Sequence, residues 1–332
     1  MRIPNKASPR TGKRRDRLSL CAAFVFSALA CLSSPLAAAA LRWKTIVVGG
    51  AERRFLVDRP DRPTAAEPAL LLVLHGAFSN PDDMRRQGGF DRLANRDDFV
   101  FVFPEGTGPK ASDLTWNAGF CCRSAMRRAV DDVSFLDAVV ETVAAQMSID
   151  HRRVFVSGIS NGALLAYRWG ALRADKVAGI AAVAGAIGGR KGFFQPEVTP
   201  ADPAHPVSVL IFHARDDPYF PYGGGISLRL LLRLPGRASI SVADAAAFWT
   251  RADGCTGTPM DSPADRQGVS VISYRQCRAG TEVEVWTIDR LGHDWPPPLA
   301  RLSEPEHPEH QALFAAYMVD FFRRHPKRDL DE

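Results

Sequence analysis

One serine stands out in the stretch "RRVFVSGISNGALLAYRWGA", which begins at Arg152. Ser160 lies two residues from a glycine on each side, Gly158 and Gly162. Val154, Phe155 and Val156 read as a buried strand, and Ala163 through Ala171 read as a helix. G-x-S-x-G between a strand and a helix is the pattern of a nucleophile elbow. Its glycines remove the Cβ atoms that would clash in so sharp a corner, and the hydroxyl is pushed out above the sheet. The helix beginning near Asn161 adds backbone N–H groups and a positive dipole end beside that hydroxyl. The chemistry such a group performs is attack on a carbonyl carbon.

A serine hydroxyl is a weak nucleophile at neutral pH, so it needs a base, and the base needs an orienting group. For a strand–elbow–helix unit the chain order is serine, acid, histidine. After Ser160 come His205, His213, His293, His307, His310 and His325. His205 precedes its strand and falls at the wrong end of a sheet. His213 sits inside the strand "LIFHARDD", and the last three lie in or beside a closing helix. His293 alone follows a strand directly, in "DRLGHDWPPP", between a glycine and rigid prolines. The acid should end an earlier strand, where "VLIFHARDDPYFPY" supplies Asp216 and Asp217. Pro218 biases the residue before it toward extended backbone, which fixes the direction of Asp217. Asp216 then reads as solvated or loop-capping. The expected set is Ser160, Asp217 and His293. Oxyanion donors are expected from the N–H of Asn161 and from Ala77, in the loop after "LLVLHG", with His75 bracing that loop.

The elements that would carry these groups alternate along the chain. "KTIVVGG" and "RRFLVDRP" read as an edge hairpin, and "ALLLVLHG" and "DFVFVFPEG" as strands buried on both faces. "VDDVSFLDAVVETVAAQM", "ADAAAFWTRAD" and "HQALFAAYMVDFFRRH" have helical spacing of apolar residues. "VSVLIFHA", "VSVISYR" and "TEVEVWTI" complete a mostly parallel sheet covered on both faces, in one domain spanning residues 42–326.

The chain has 332 residues and a formal charge of +5. Residues 1–40 hold seven Lys/Arg and one acid, so the remainder carries a net −1 and a nucleic-acid partner is not expected. That basic start, the uncharged run from Leu18 and the small residues of "SSPLAAAA" read as a signal peptide, 1–40, cleaved between Ala38 and Leu41, with an uncleaved anchor over Leu18 to Leu41 as the alternative reading. The expectation is a secreted or periplasmic monomer with no membrane attachment after cleavage. Export makes a Cys255–Cys277 bridge plausible. Cys121 and Cys122 are adjacent, and both a vicinal disulfide and two free thiols remain open. No metal or other cofactor is expected, since the cysteines lack C-x-x-C or nearby histidine spacing.

The segments "LLVLHGAFSN", "FVFPEGTG", "TWNAGFCC", "VDDVSFL", "IDHRRVFVSGISNGALLAYRW", "LIFHARDDPYFPY" and "GHDWP" together resemble the secreted polyhydroxybutyrate depolymerase-like esterases, which include feruloyl esterases. The likeness runs from about residue 69 to 297. It implies an α/β-hydrolase fold and ester hydrolysis by a Ser–His–Asp triad. In that family the acid lies four residues before a Pro-Tyr pair, and Pro221-Tyr222 then points to Asp217. Ala163, Ala214 and Asp294 depart from the family's usual residues. Trp116, Phe120, Tyr219, Phe220, Tyr222 and Trp295 fall in loops at the catalytic edge, and Trp295 is the one expected to touch substrate. The expected substrates are small esters or short hydroxybutyrate- or feruloyl-type oligomers. A serine peptidase and a catalytically inactive binding hydrolase are the alternative readings of the same fold.

Overall fold

The computed structural model describes residues 40–59, 65–93, 98–231, 236–263, 268–296 and 312–328, so the expected leader lies outside the described residues. Strand β1 (Ala40–Val48) turns into β2 (Ala51–Arg59), followed by β3 (Ala69–Leu74), helix α1 (Pro81–Gln87) and β4 (Phe99–Pro104). Helices α2 (Arg123–Arg127) and α3 (Asp132–Gln146) precede β5 (Val154–Ile159), α4 (Asn161–Leu172) and β6 (Gly179–Val183). Two short strands, β7 (Gly189–Arg190) and β8 (Glu197–Val198), lead to β9 (Ser208–Ala214). Next come β10 (Gly225–Ile226), α5 (Leu228–Leu231), β11 (Ala238–Ser239) and α6 (Val242–Ala252). The chain then runs through β12 (Met260–Pro263), β13 (Val269–Tyr274) and β14 (Val283–Ile288) to α7 (Ala312–Arg324).

The main sheet has the order β1-β2-β4-β3-β5-β6-β9-β14-β13-β12. Pairing is parallel from β4 through β14 and antiparallel at both ends. The apolar runs explain the interior. All six residues of β3 are buried, and their side chains alternate between two layers. Leu70, Leu72 and Leu74 enter the layer that holds Leu136, Leu165 and Trp249 of α3, α4 and α6. Ala69, Leu71 and Val73 enter the layer that holds Phe314, Met318 and Phe322 of α7. A strand whose two faces both meet helices has no place for polar side chains, hence its unbroken hydrophobic run. Helix α4 is apolar nearly all round and correspondingly buried. The short strands β10, β11, β7 and β8 form a separate small sheet. Two-residue strands leave no alternating pattern, and the sequence reading missed them, along with β12.

The structure brings the sulfur atoms of Cys255 and Cys277 within bonding reach, and likewise those of Cys121 and Cys122, which flank a cis peptide. No helix among the described residues is long and apolar enough to cross a membrane.

Candidate active site

Strand β5 ends at Ile159, and Ser160 takes φ 55° and ψ −123° before α4 begins. A non-glycine residue at positive φ costs free energy and persists only where its surroundings enforce it. Here the Ser160 N–H donates to the Val183 carbonyl at the end of β6 (2.9 Å), and the Ser160 carbonyl accepts from Leu164 (3.1 Å). The flanking glycines are dictated by close backbone approach. A Cβ on Gly162 would lie 2.5 Å from the Leu74 carbonyl oxygen and 2.6 Å from that of His75. A Cβ on Gly158 would lie 2.5 Å from the Gly162 carbonyl carbon.

His293 follows β14 and Asp217 follows β9, and these two strands are parallel neighbours. The register therefore delivers both side chains to the same edge as Ser160. The Ser160 Oγ hydroxyl lies 2.8 Å from His293 Nε2, and His293 Nδ1 lies 2.8 Å from Asp217 Oδ2. A carboxylate only accepts, so Nδ1 carries the proton and Nε2 is left to accept from the serine. The Asp217 side chain is fully buried, whereas that of His293 keeps 16% exposure, enough to face a substrate. Asp217 Oδ1 accepts from the N–H groups of Tyr219 (2.8 Å) and Phe220 (2.9 Å).

A second imidazole stands beside this carboxylate. His213 Nε2–H donates to the Phe220 carbonyl (2.8 Å) and lies 3.4 Å from Asp217 Oδ2. Burial lowers the pKa of His213 and outweighs the pull of Asp217, so it is a neutral brace. Asp216 points elsewhere. Its Oδ1 accepts from the backbone N–H groups of Leu291 (3.1 Å) and Gly292 (2.8 Å), which fixes the loop carrying His293. The bond from Gly292 is the main reason that the Asp216 carboxyl sits below its ordinary pKa.

Ala77 and Asn161 line a cleft of about 840 Å³ together with Ser160 and His293. The Asn161 side chain is not in solvent. Its Oδ1 accepts from the Trp116 N–H (2.7 Å) and its Nδ2 donates to the Trp116 carbonyl (3.1 Å), clamping the 107–126 segment onto the first turn of α4. That segment is fastened again where Asn117 N–H donates to Asp132 Oδ2 (2.7 Å), whose other oxygen accepts from Arg53 (2.7 Å). Neither clamp was legible in advance, because both depend on where a long irregular stretch folds back.

Of the edge aromatics, Phe120, Tyr219 and Phe220 line the cleft. Trp116 is fully buried and Tyr222 bonds to Thr287 Oγ1 (2.8 Å). Trp295 corrects the expectation placed on it. Its ring packs against Phe90 (5.8 Å between centroids) and Phe314 (5.4 Å), in the α7 layer rather than along the cleft.

His75 sits at the end of β3, fully buried. Its Nδ1–H donates to the Gly76 carbonyl (2.7 Å) and its Nε2 accepts from Gly106 N–H (3.0 Å). Trp116 Nε1–H donates to the His75 carbonyl (2.8 Å), so this residue holds the Ala77 loop from both sides. Burial lowers its pKa to about 4, against an ordinary value of 6.5. The unfolded chain therefore takes up a proton that the folded one refuses. The contribution of His75 to stability is fully present above pH 6.5 and is lost as pH falls toward 4. Relative to His75→Gln, the wild type should lose about 3 kcal/mol of unfolding free energy between pH 7 and pH 4, measured by urea denaturation. His213 and the other titrating groups are common to both proteins and cancel in that difference. Parallel pH profiles for the two proteins would refute it.

Serine, imidazole and carboxylate in line, beside backbone N–H groups at a cleft wall, make an arrangement for acyl transfer on an α/β-hydrolase scaffold. Residues 60–218 match the model of the Esterase PHB depolymerase family. Among curated proteins the chain is 27% identical over 281 residues to NocK of Nocardia uniformis subsp. tsuyamanensis, whose name calls it an esterase; this spans 79% of the chain and 76% of that protein. It is 27% identical over 264 residues to feruloyl esterase D of Neurospora crassa, spanning 75% of the chain and 77% of that protein. It is 26% identical over 251 residues to feruloyl esterase B of Piromyces equi, covering 73% of the chain but only 42% of that protein's length. Acetyl xylan esterase from Aspergillus awamori shares the fold, with a TM-score of 0.54, 11% identity, and 85% and 99% of the two chains covered. A pOPH variant in complex with DMSO does so with a TM-score of 0.54, 17% identity and 86% of each chain covered. The chain is a carboxylic ester hydrolase of α/β-hydrolase fold. Over residues 60–218 it resembles the polyhydroxybutyrate depolymerase-like esterases.

Proposed function

We propose that the protein cleaves short, soluble esters or hydroxyacid oligomers through an acyl-enzyme formed on Ser160. The observation that carries this reading is the continuous 2.8 Å relay from Ser160 Oγ through His293 to Asp217, opening on a cleft of oligomer size. In acylation the Ser160 oxygen attacks the ester carbonyl carbon while its proton passes to His293 Nε2. Asp217 keeps the ring in the reactive tautomer and stabilises the imidazolium. The N–H groups of Asn161 and Ala77 take the developing oxyanion. Collapse expels the alkoxide, which leaves as the alcohol with the proton from His293. A water molecule then repeats the cycle on the acyl-enzyme, giving the carboxylic acid and free serine. The apolar walls formed by Phe78, Phe120, Tyr219 and Phe220 suit alkyl or aromatic acyl groups. The basic, then apolar start of the chain supports export, and with it oxidation of Cys255 and Cys277.

The test is a substrate panel of short and long nitrophenyl esters, methyl ferulate, hydroxybutyrate oligomers and a peptide anilide. The expected result is turnover of short nitrophenyl esters together with either the oligomers or methyl ferulate. Cleavage of the anilide alone would replace this reading by a peptidase. Absence of any turnover would leave a binding protein on a hydrolase fold.

A further inference from the structure

Four cationic side chains, Arg123, Arg127, Lys191 and Arg237, line the cleft together with Ser160, and among the described residues no Asp or Glu lines it. Three of the four are exposed, so water accounts for them. Arg237 is different. It retains 7% exposure and sits just before β11, held on the wall by Nη2, which donates to the Phe120 carbonyl (2.8 Å) and, more weakly, to Cys122 Sγ (3.9 Å). Its guanidinium carbon lies 5.3 Å from the centre of the Phe120 ring. Its Nε is buried and has no acceptor among the described residues, and no carboxylate there lies within ion-pair distance.

A guanidinium removed from water without a counter-charge is costly, and proteins ordinarily pair it. Burial does lower the pKa of Arg237, but only to about 10, so the group stays cationic at neutral pH. The carboxylate of the proposed triad, Asp217, is already committed to His293 and to the amides of Tyr219 and Phe220. The unmet charge therefore faces the cavity that receives substrate. We propose that Arg237 forms a subsite for a carboxylate on the substrate, distant from the bond being cut. Building on the ester-hydrolase reading above, this narrows the preferred substrates to esters with a free acid end, as a short hydroxyacid oligomer has. Arg237 is a specificity residue: its planar, donor-rich head suits a carboxylate, and the apolar walls take the intervening hydrocarbon.

The experiment compares kcat/KM for the 3-hydroxybutyrate dimer as free acid and as its methyl ester, and for mono-p-nitrophenyl glutarate and p-nitrophenyl valerate. The first pair puts the carboxylate on the alcohol side, the second on the acyl side. The wild type should favour the charged member of at least one pair by about tenfold or more. Arg237→Met should reduce that ratio by about 10- to 100-fold, mostly through KM, and Arg237→Lys should restore part of it. A purely structural role for Arg237 would lower both members of a pair alike and leave the ratio unmoved, which would overturn the proposal. Should Arg237→Met fail to fold, the wild-type ratios alone decide. Ratios near one for both pairs, with p-nitrophenyl valerate still cleaved, would sink the subsite while leaving the esterase reading intact. Loss of p-nitrophenyl valerate cleavage itself would instead count against that reading.

Discussion

Ser160→Ala should lower kcat for nitrophenyl butyrate by on the order of a million-fold while the protein stays folded. The magnitude follows from removing the attacking atom. What remains is the contribution of the oxyanion donors and of substrate binding, which act without the serine. The fold should survive because among the described residues Oγ bonds only to His293 Nε2, and the hydroxyl makes no backbone cap at the start of α4. The strained backbone at φ 55° is imposed by neighbouring carbonyls and glycines, and alanine meets it as serine does. Stability should be equal or slightly higher, as is common when a polar group is removed from a strained site. An organophosphonate probe should label the wild type at Ser160 and leave the variant unlabelled. Labelling of Ser160→Ala would place the nucleophile elsewhere.

Asp217→Asn should cost about ten-thousand-fold in kcat, whereas Asp216→Asn should retain most activity. In the first variant Oδ1 can still accept from Tyr219 and Phe220, so the side chain stays in place with NH₂ where Oδ2 was. That amide donates toward His293 Nδ1 and favours the tautomer with the proton on Nε2, facing the serine. A ring in that state cannot take the serine proton. Asp216 bonds through Oδ1 to the amides of Leu291 and Gly292, and asparagine keeps that oxygen. The two adjacent carboxylates thus act on one histidine by different routes, one through its ring and one through its loop. The reverse pattern of losses, with both variants folded by circular dichroism, would shift the acid role by one residue.

The groups that meet in the cleft were legible for a simple reason. A buried parallel strand writes itself as an apolar run, and the residue after each run is committed to one edge of the sheet. Ser160, Asp217 and His293 could be picked out by that rule and by chain order. The support around them could not. The bond from Asn161 to Trp116 joins positions 45 residues apart, and no local pattern marks it. Arg237 sits just before β11 of the small sheet β10-β11-β7-β8, which two-residue strands do not announce. Trp295 lies two residues from His293 along the chain, yet its ring packs on Phe90 and Phe314 rather than along the cleft. An indole with an apolar layer within reach is placed by the hydrophobic effect rather than by its sequence neighbours.

The clamp between Asn161 and Trp116 gives this site a mechanical property. The wall segment and the residue that follows Ser160 are tied by two hydrogen bonds through a single amide side chain. A ligand that presses on the wall would therefore load the first turn of α4, where the proposed oxyanion donor Asn161 lies. On the proposed mechanism, affinity and turnover would be coupled at that point. A bulky substrate that displaces the wall would be held and yet react slowly, while one that leaves it unloaded would find the donors already aligned.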